Sequence, residues 1–187
     1  MEWLYVLAPV VLIAAWMLAV HIRIVTLSNL VRESWAQIGV QLQRRYDLVP
    51  NLVETVKGYA RHEQEVFRLV AEARSRAMGS QGPVAEQSAQ ELKLVSGMRS
   101  LLAVAESYPE LKADANFRML QQELVDTEDR IAAARRFYNA NVRDYNVMVQ
   151  SFPTSVVAGL MGVSSESYWE VEEVQAREPV DVQMSRT

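Results

Sequence analysis

The chain has 187 residues, half of them hydrophobic, with a formal net charge of −4, two histidines and no cysteine. That charge gives no basic field for nucleic acid and no acidic block for a disordered tail. The missing thiols exclude disulfides, thiolate metal sites and cysteine nucleophiles, and leave the redox compartment open.

From Trp3 to Val20 no residue is charged, and the run ends at His21 and Arg23. Counted through Ile24 and Val25 it spans about 23 residues, against the ~20 a bilayer-crossing helix needs. A cleaved signal peptide would open on basic residues and close on a small-x-small site. Here the start is Met-Glu-Trp and no such site follows, so a retained transmembrane helix is expected, with Pro9 bending it. Trp3 and Tyr5 suit one lipid–water interface. Before the span stands only Glu2 beside the amino group; after it come Arg23, Arg32, Arg44 and Arg45. Positive flanks stay inside, so the start faces out and the body faces the cytoplasm.

The remaining ~160 residues suffice for one domain with a core of its own. Leu27, Leu30, Ser34, Ile38, Leu42 and Val49 form one helical stripe, and Leu52, Val56, Tyr59, Val66 and Val70 another. Their phase barely slips across Pro50, which favours one kinked helix. Length favours a break, because about 50 residues at 1.5 Å each would reach ~75 Å, beyond any neighbour. A chain reversal at Asp47–Pro50 is the preferred reading, with Asp47 as cap and Pro50 in the first turn. Gly79-Ser-Gln-Gly-Pro83 is a loop. Val84, Leu92, Val95, Met98, Leu102 and Ala105 mark a shorter helix that stops at Tyr108-Pro109.

The last long helix carries apolar or small positions at Phe117, Leu120, Leu124, Thr127, Ile131, Ala134, Tyr138, Val142, Tyr145, Val149 and Phe152. Steps of three and four sustained that far mean a buried stripe, with Asn116, Glu123, Asp126, Arg130 and Arg136 off it. After Phe152-Pro153 the pattern stops. Val156–Val163 is a short apolar stretch, and the rest, with Tyr168, Trp169 and Pro179, reads as a tail. The fold class is all-α: an N-terminal transmembrane helix, then an antiparallel up-and-down bundle of three to four long helices. The anchor takes residues 1–25, the bundle 26–152, and the apolar segment and tail 153–187.

Several local strings carry a family resemblance. They include Trp35-Ala-Gln-Ile38, Gln41-Leu-Gln-Arg-Arg-Tyr-Asp-Leu-Val-Pro-Asn-Leu-Val53 and Val56-Lys-Gly-Tyr-Ala-Arg-His-Glu63. Leu102 to Lys112, Thr127-Glu128, Ala134-Arg-Arg-Phe-Tyr-Asn139, Tyr145-Asn146 and Phe152-Pro153 follow in order. The chain resembles the bacterial LemA family over nearly its whole length. That resemblance implies a short exterior N-terminus, one membrane helix and a cytoplasmic helical bundle, and it implies no enzyme activity. Two departures stand out: Gly39 where an aspartate is usual, and a less aromatic closing tail.

No catalytic constellation emerges. A bundle di-iron site would pair Glu-x-x-His motifs on facing helices, but His62 follows Tyr59 at that spacing and is the body's lone histidine. Glu54, Glu63, Glu106, Glu123 and Glu128 are what any helical bundle carries, so no metal and no cofactor are expected. A Ser-His-Asp arrangement would rest on His62 alone, without a Gly-x-Ser-x-Gly turn. Glycine-rich phosphate loops are missing too.

What stays is a polar set: Arg44, Arg45, Asp47, Asn51, Lys57, His62, Glu63, Glu106, Lys112, Glu128, Arg135, Arg136, Asn139 and Asn146. One reading makes these inter-helix salt bridges and caps, with Glu128 pairing an arginine such as Arg45. The other makes them a docking surface. The first is preferred. For Val156–Val163, packing against the bundle is preferred over a membrane-surface position, since an interfacial helix usually carries Lys or Arg. The function expected is a non-catalytic interaction or self-assembling scaffold module at the inner membrane. Its expected partners are the lipid bilayer, further copies of itself and other membrane proteins, with no nucleic acid. The alternatives are a hydrolase or carboxylate-bridged metalloenzyme, and a membrane-shaping structural protein.

Overall fold

The computed structural model describes residues 2–80 and 82–169. Pro179 and the rest of the tail beyond Trp169 lie outside the described residues. Among the described residues six helices follow one another: α1 (Glu2–Tyr59), α2 (Gln64–Gly79), α3 (Val84–Glu106), α4 (Pro109–Ala113), α5 (Ala115–Gln150) and α6 (Thr154–Met161). Among the described residues there is no strand.

The reversal expected at Asp47–Pro50 does not occur. α1 runs unbroken for 58 residues with Pro50 inside it, and the chain turns at Ala60–Glu63 instead. A proline in a helix interior lacks the N–H that would bond the carbonyl four residues back. Here that carbonyl belongs to Tyr46, and the Arg74 side chain of α2 fills the gap, its Nε donating to the Tyr46 oxygen at 2.7 Å. Asp47 caps nothing; its carboxylate accepts from Gln43 on the surface at 2.8 Å. The length objection also dissolves, because Val66 and Val70 belong to α2 and the body's share of α1 stops at Tyr59. The part beyond residue 25 matches the 36 residues of α5.

α5 runs antiparallel to α1. Tyr59 meets Asp114, Arg45 meets Glu128 and Asn141 meets the Leu30 carbonyl, so numbers rise on one helix as they fall on the other. The α5 stripe is buried from Phe117 through Val149 as its spacing predicts, with Leu120 and Ala134 half-covered at its edges. It ends one position early, because Phe152 is 84% exposed. Asp114 caps α5, accepting from the Phe117 N–H at 2.8 Å. That bond holds its carboxyl below the usual aspartate range. A carboxylate lowered on folding stabilises above its unfolded pKa of about 3.9, and the contribution goes as pH falls through the lowered value.

α2 and α3 form a hairpin over the distal half of the α1–α5 pair. Gly97 sits where α3 crosses α2, with Val70 Cγ2 only 3.3 Å from where a Cβ would stand. The buried face of α3 departs from the hydropathy reading. Gln87, Ser88, Glu91, Leu94, Met98, Leu101 and Ala105 point inward, while Val84, Leu92, Val95 and Leu102 lie at the edges. The first two turns therefore turn polar groups into the core, for reasons that lie on α1.

Near the membrane-proximal end α6 packs on both α1 and α5 and buries Val157 and Ala158. Gly162 ends it in the left-handed region, at φ 66°, where a glycine carries no Cβ penalty. The chain then runs extended across the bundle to Trp169, which is buried. Residues 163–169 are thus a strap and not a loose tail. Trp169 meets Trp35 at a tilt of 45° with ring centroids 5.5 Å apart, and Trp35 meets Tyr138 at 5.4 Å.

Candidate functional site

Two polar constellations lie within the bundle. The first centres on Arg45, which is 2% exposed. Its Nη1 donates to both carboxylate oxygens of Glu128 at 2.9 and 3.1 Å, and its Nη2 donates to Glu91, itself 3% exposed. The anticipated Arg45–Glu128 pair is present; the more deeply buried partner is Glu91. Tyr46 donates its hydroxyl to the other Glu91 oxygen, and Gln87 bonds Glu91 at 2.8 Å and the Tyr46 oxygen at 3.2 Å. Arg135 stands half-buried nearby, where burial draws its guanidinium below the ordinary value against the pull of Glu128. Arg45 thus meets two carboxylates, Glu91 buried and Glu128 at the rim, with Arg135 near enough to feel the charge of Glu128. Such a cluster fixes which helices meet and in what register, more than it adds net stability.

The second constellation holds the strap. Asn139 donates to the Trp169 carbonyl at 3.1 Å and accepts from the Trp169 N–H at 2.9 Å. One heptad later Asn146 makes the same two bonds to residue 166, at 2.9 and 2.8 Å. Each asparagine follows a tyrosine whose hydroxyl bonds a strap carbonyl: Tyr138 to Ser167 at 2.9 Å, Tyr145 to Ser164 at 3.1 Å. The side-chain amides act as the neighbouring strand of a ladder, reading backbone and not sequence. Only Trp169 adds a deeply buried side chain.

Of the predicted polar set, Arg45, Glu128 and Arg135 come together, as do Asn139 and Asn146. The others scatter. Arg44, Asp47, Asn51, His62, Glu106, Lys112 and Arg136 are exposed, and Glu63 precedes α2 without a side-chain cap bond. Lys57 pairs with Glu54 on the surface at 3.0 Å. Among the described residues no group of three His, Asp or Glu side chains is placed to hold a metal ion. Tyr46, Arg74, Gln87 and Glu91 were not singled out from the sequence. No local signal marks them. The strap clamp did have one, since Tyr-Asn recurs at a spacing of seven in Tyr138-Asn139 and Tyr145-Asn146.

Burial pushes the Tyr138 hydroxyl up to about 12. It raises Tyr46 too, aided by the hydrogen bond to Glu91. Phenols raised on folding stabilise fully below the unfolded pKa of about 10, and that contribution is lost as pH climbs through the folded value. On alkaline titration, absorbance at 295 nm should stop short of its full tyrosinate amplitude until the protein unfolds. Tyr46→Phe and Tyr138→Phe should each shrink the delayed fraction; an undiminished delay in both would contradict the assignment. Asn146→Ala strips both bonds to residue 166. It should speed exchange of the Glu166 amide about tenfold, the equivalent of one lost hydrogen bond of ~1.4 kcal/mol. Unchanged protection at that amide would mean the clamp does not hold the strap.

Fold and site define a class: a long helix with an apolar span at its start, continuing into an antiparallel bundle in which a few polar side chains hold helices and strap together. α1 is long and apolar enough to cross a membrane, and its large apolar side chains from Leu7 to Leu18 are exposed, unlike those of a core helix. A profile of the LemA family matches residues 34–184, and the chain belongs to that family. Magnetosome protein MamQ 2 of Paramagnetospirillum magneticum is 26% identical over 186 residues, covering 86% of this chain and 68% of that protein. Protein LemA of Metamycoplasma hominis is 27% identical over 159 residues, covering 84% and 70%. Magnetosome protein MamQ of Magnetospirillum gryphiswaldense is 26% identical over 155 residues, covering 70% and 57%.

Proposed function

We propose that the chain is a non-catalytic interaction module of the inner membrane, tethered by α1 with its start outside and its bundle in the cytoplasm, and that copies associate side by side. The observation that carries this reading is an open groove between α1 and α5 on the bundle. It has a volume of about 530 Å³ and is lined by Gln37, Val40, Gln41, Arg130, Ala133, Ala134 and Phe137. Val40 and Phe137 are exposed there, and two large apolar side chains flanked by amides and one arginine suit helix-on-helix docking. Tethering favours it further, because confinement to a plane raises the effective concentration of a weak contact. The orientation rests on Arg23, Arg32 and Arg44, exposed beyond the span.

The chain has no native cysteine, which makes the test clean. Val40→Cys and Phe137→Cys in full-length protein should form disulfide-linked dimers when native membranes are oxidised. Leu69→Cys, exposed on α2, should not. Equal, background crosslinking at all three sites would remove the groove as the contact.

A further inference from the structure

α6 shows two faces. Val157 and Ala158 are buried against the bundle. Val156 and Leu160, four residues apart and so along one side of α6, are 56% and 73% exposed, and Phe152 in the turn before the helix is 84% exposed. Among the described residues nothing covers them. Their height on the molecule is set by the antiparallel register. Asn141 lies level with Leu30, so the end of α5 nine residues on lies level with the early twenties of α1, and α6 packs there. That is where the apolar span gives way to His21 and Arg23. Leu18, Ile22 and Val25 of α1 are exposed at the same level, so bare apolar side chains of α6 and of the span stand at one height. The chain carries no charged residue from Tyr145 to Ser165, although charged side chains are frequent elsewhere in the body.

We propose that α6 is a membrane-surface wedge. Phe152, Val156 and Leu160 enter the boundary between lipid headgroups and acyl chains beside the exit of α1. The occupant is lipid, because the adjoining apolar surface of α1 is already lipid-facing. An interfacial helix ordinarily gains its electrostatic attraction from basic residues on its polar side. α6 has none and needs none, being tethered at the bilayer, while exposed Arg23 and Arg32 on α1 face the headgroups next to it. The wedge gives the bundle a second point of contact with the membrane, and two points fix its tilt. This inference depends on α1 crossing the bilayer and not on copies associating.

Single cysteines placed at Val156 and Leu160 in the full chain, labelled with an environment-sensitive fluorophore, test it in phosphatidylcholine–phosphatidylglycerol nanodiscs. Quenching is read with lipids carrying a spin label near the top of the acyl chain. Labels at Leu12→Cys and Arg136→Cys report the span and the exposed bundle. The expected result is quenching at 156 and 160 at least twice that at 136, unchanged between one and several copies per disc. Quenching equal to that at 136, with Leu12→Cys quenched deep in the bilayer, overturns the wedge alone. Blue-shifted emission at 156 and 160 that appears only with several copies per disc, without lipid quenching, assigns the face to a second copy and also overturns it. No quenching at Leu12→Cys removes the span and the wedge together.

Discussion

Arg45→Met should destabilise the bundle by about 3–5 kcal/mol, the usual cost of leaving one member of a buried ion pair unmatched. The stranded group is Glu91, which is 3% exposed and would keep only Tyr46 and Gln87 as partners. Glu128 suffers less, since its side chain is 36% exposed and water can solvate it. In the doubly substituted Arg45→Met/Glu91→Gln chain the buried charge is gone, and an amide oxygen still accepts from Tyr46. That protein should recover at least half of the loss. Thermal unfolding of the full chain in detergent, followed by far-ultraviolet circular dichroism, reads both effects. A loss of 3–5 kcal/mol corresponds to roughly 6–20 °C in a chain of this size. If the two substitutions simply add, Arg45 and Glu91 are not coupled and the cluster owes its place to packing alone.

The same cluster explains which parts of the fold could be read in advance. α5 was legible because its buried face is mostly apolar side chains at steps of three and four, with Thr127 and Asn146 its polar members. The N-terminal half of α3 was not, because Gln87 and Glu91 face inward to serve Arg45 and Tyr46 on a helix more than forty residues away. Hydropathy follows the apolar residue and misses the polar one that a distant charge draws inside. Phe152 shows the opposite failure. It continues the α5 spacing and yet faces out, since the helix ends at Gln150 and the turn into α6 swings it away. The family resemblance gave membership and the anchored-bundle outline, and the profile match agrees with it. Within the candidate polar set it could not separate Arg45, Glu128, Asn139 and Asn146, which meet partners across the fold, from Arg44 or Lys112, which face water.

Arg74→Met should cost about 1–3 kcal/mol, by leaving the Tyr46 carbonyl without the donor that Pro50 cannot supply. A sequence containing Asp-Leu-Val-Pro reads as a break because no neighbour within the same helix can mend the gap. The mend comes from α2, through one side chain at 2.7 Å, and it docks the hairpin onto α1 at the point where α1 would otherwise be weakest. The two features therefore depend on each other, and a double-mutant cycle separates this from ordinary packing loss. In a Pro50→Ala background the new N–H at position 50 can bond the Tyr46 carbonyl, so removing Arg74 should cost at least 1 kcal/mol less than in the natural chain. The hydrocarbon of Arg74 is lost equally in both backgrounds and cancels. An identical cost with proline or alanine at position 50 would mean that the carbonyl is not what Arg74 serves. The continuity of α1, from the apolar span to the far end of the bundle, would then need another explanation. The coupled result would make Arg74 the residue that lets one uninterrupted rod carry the anchor's orientation into the body.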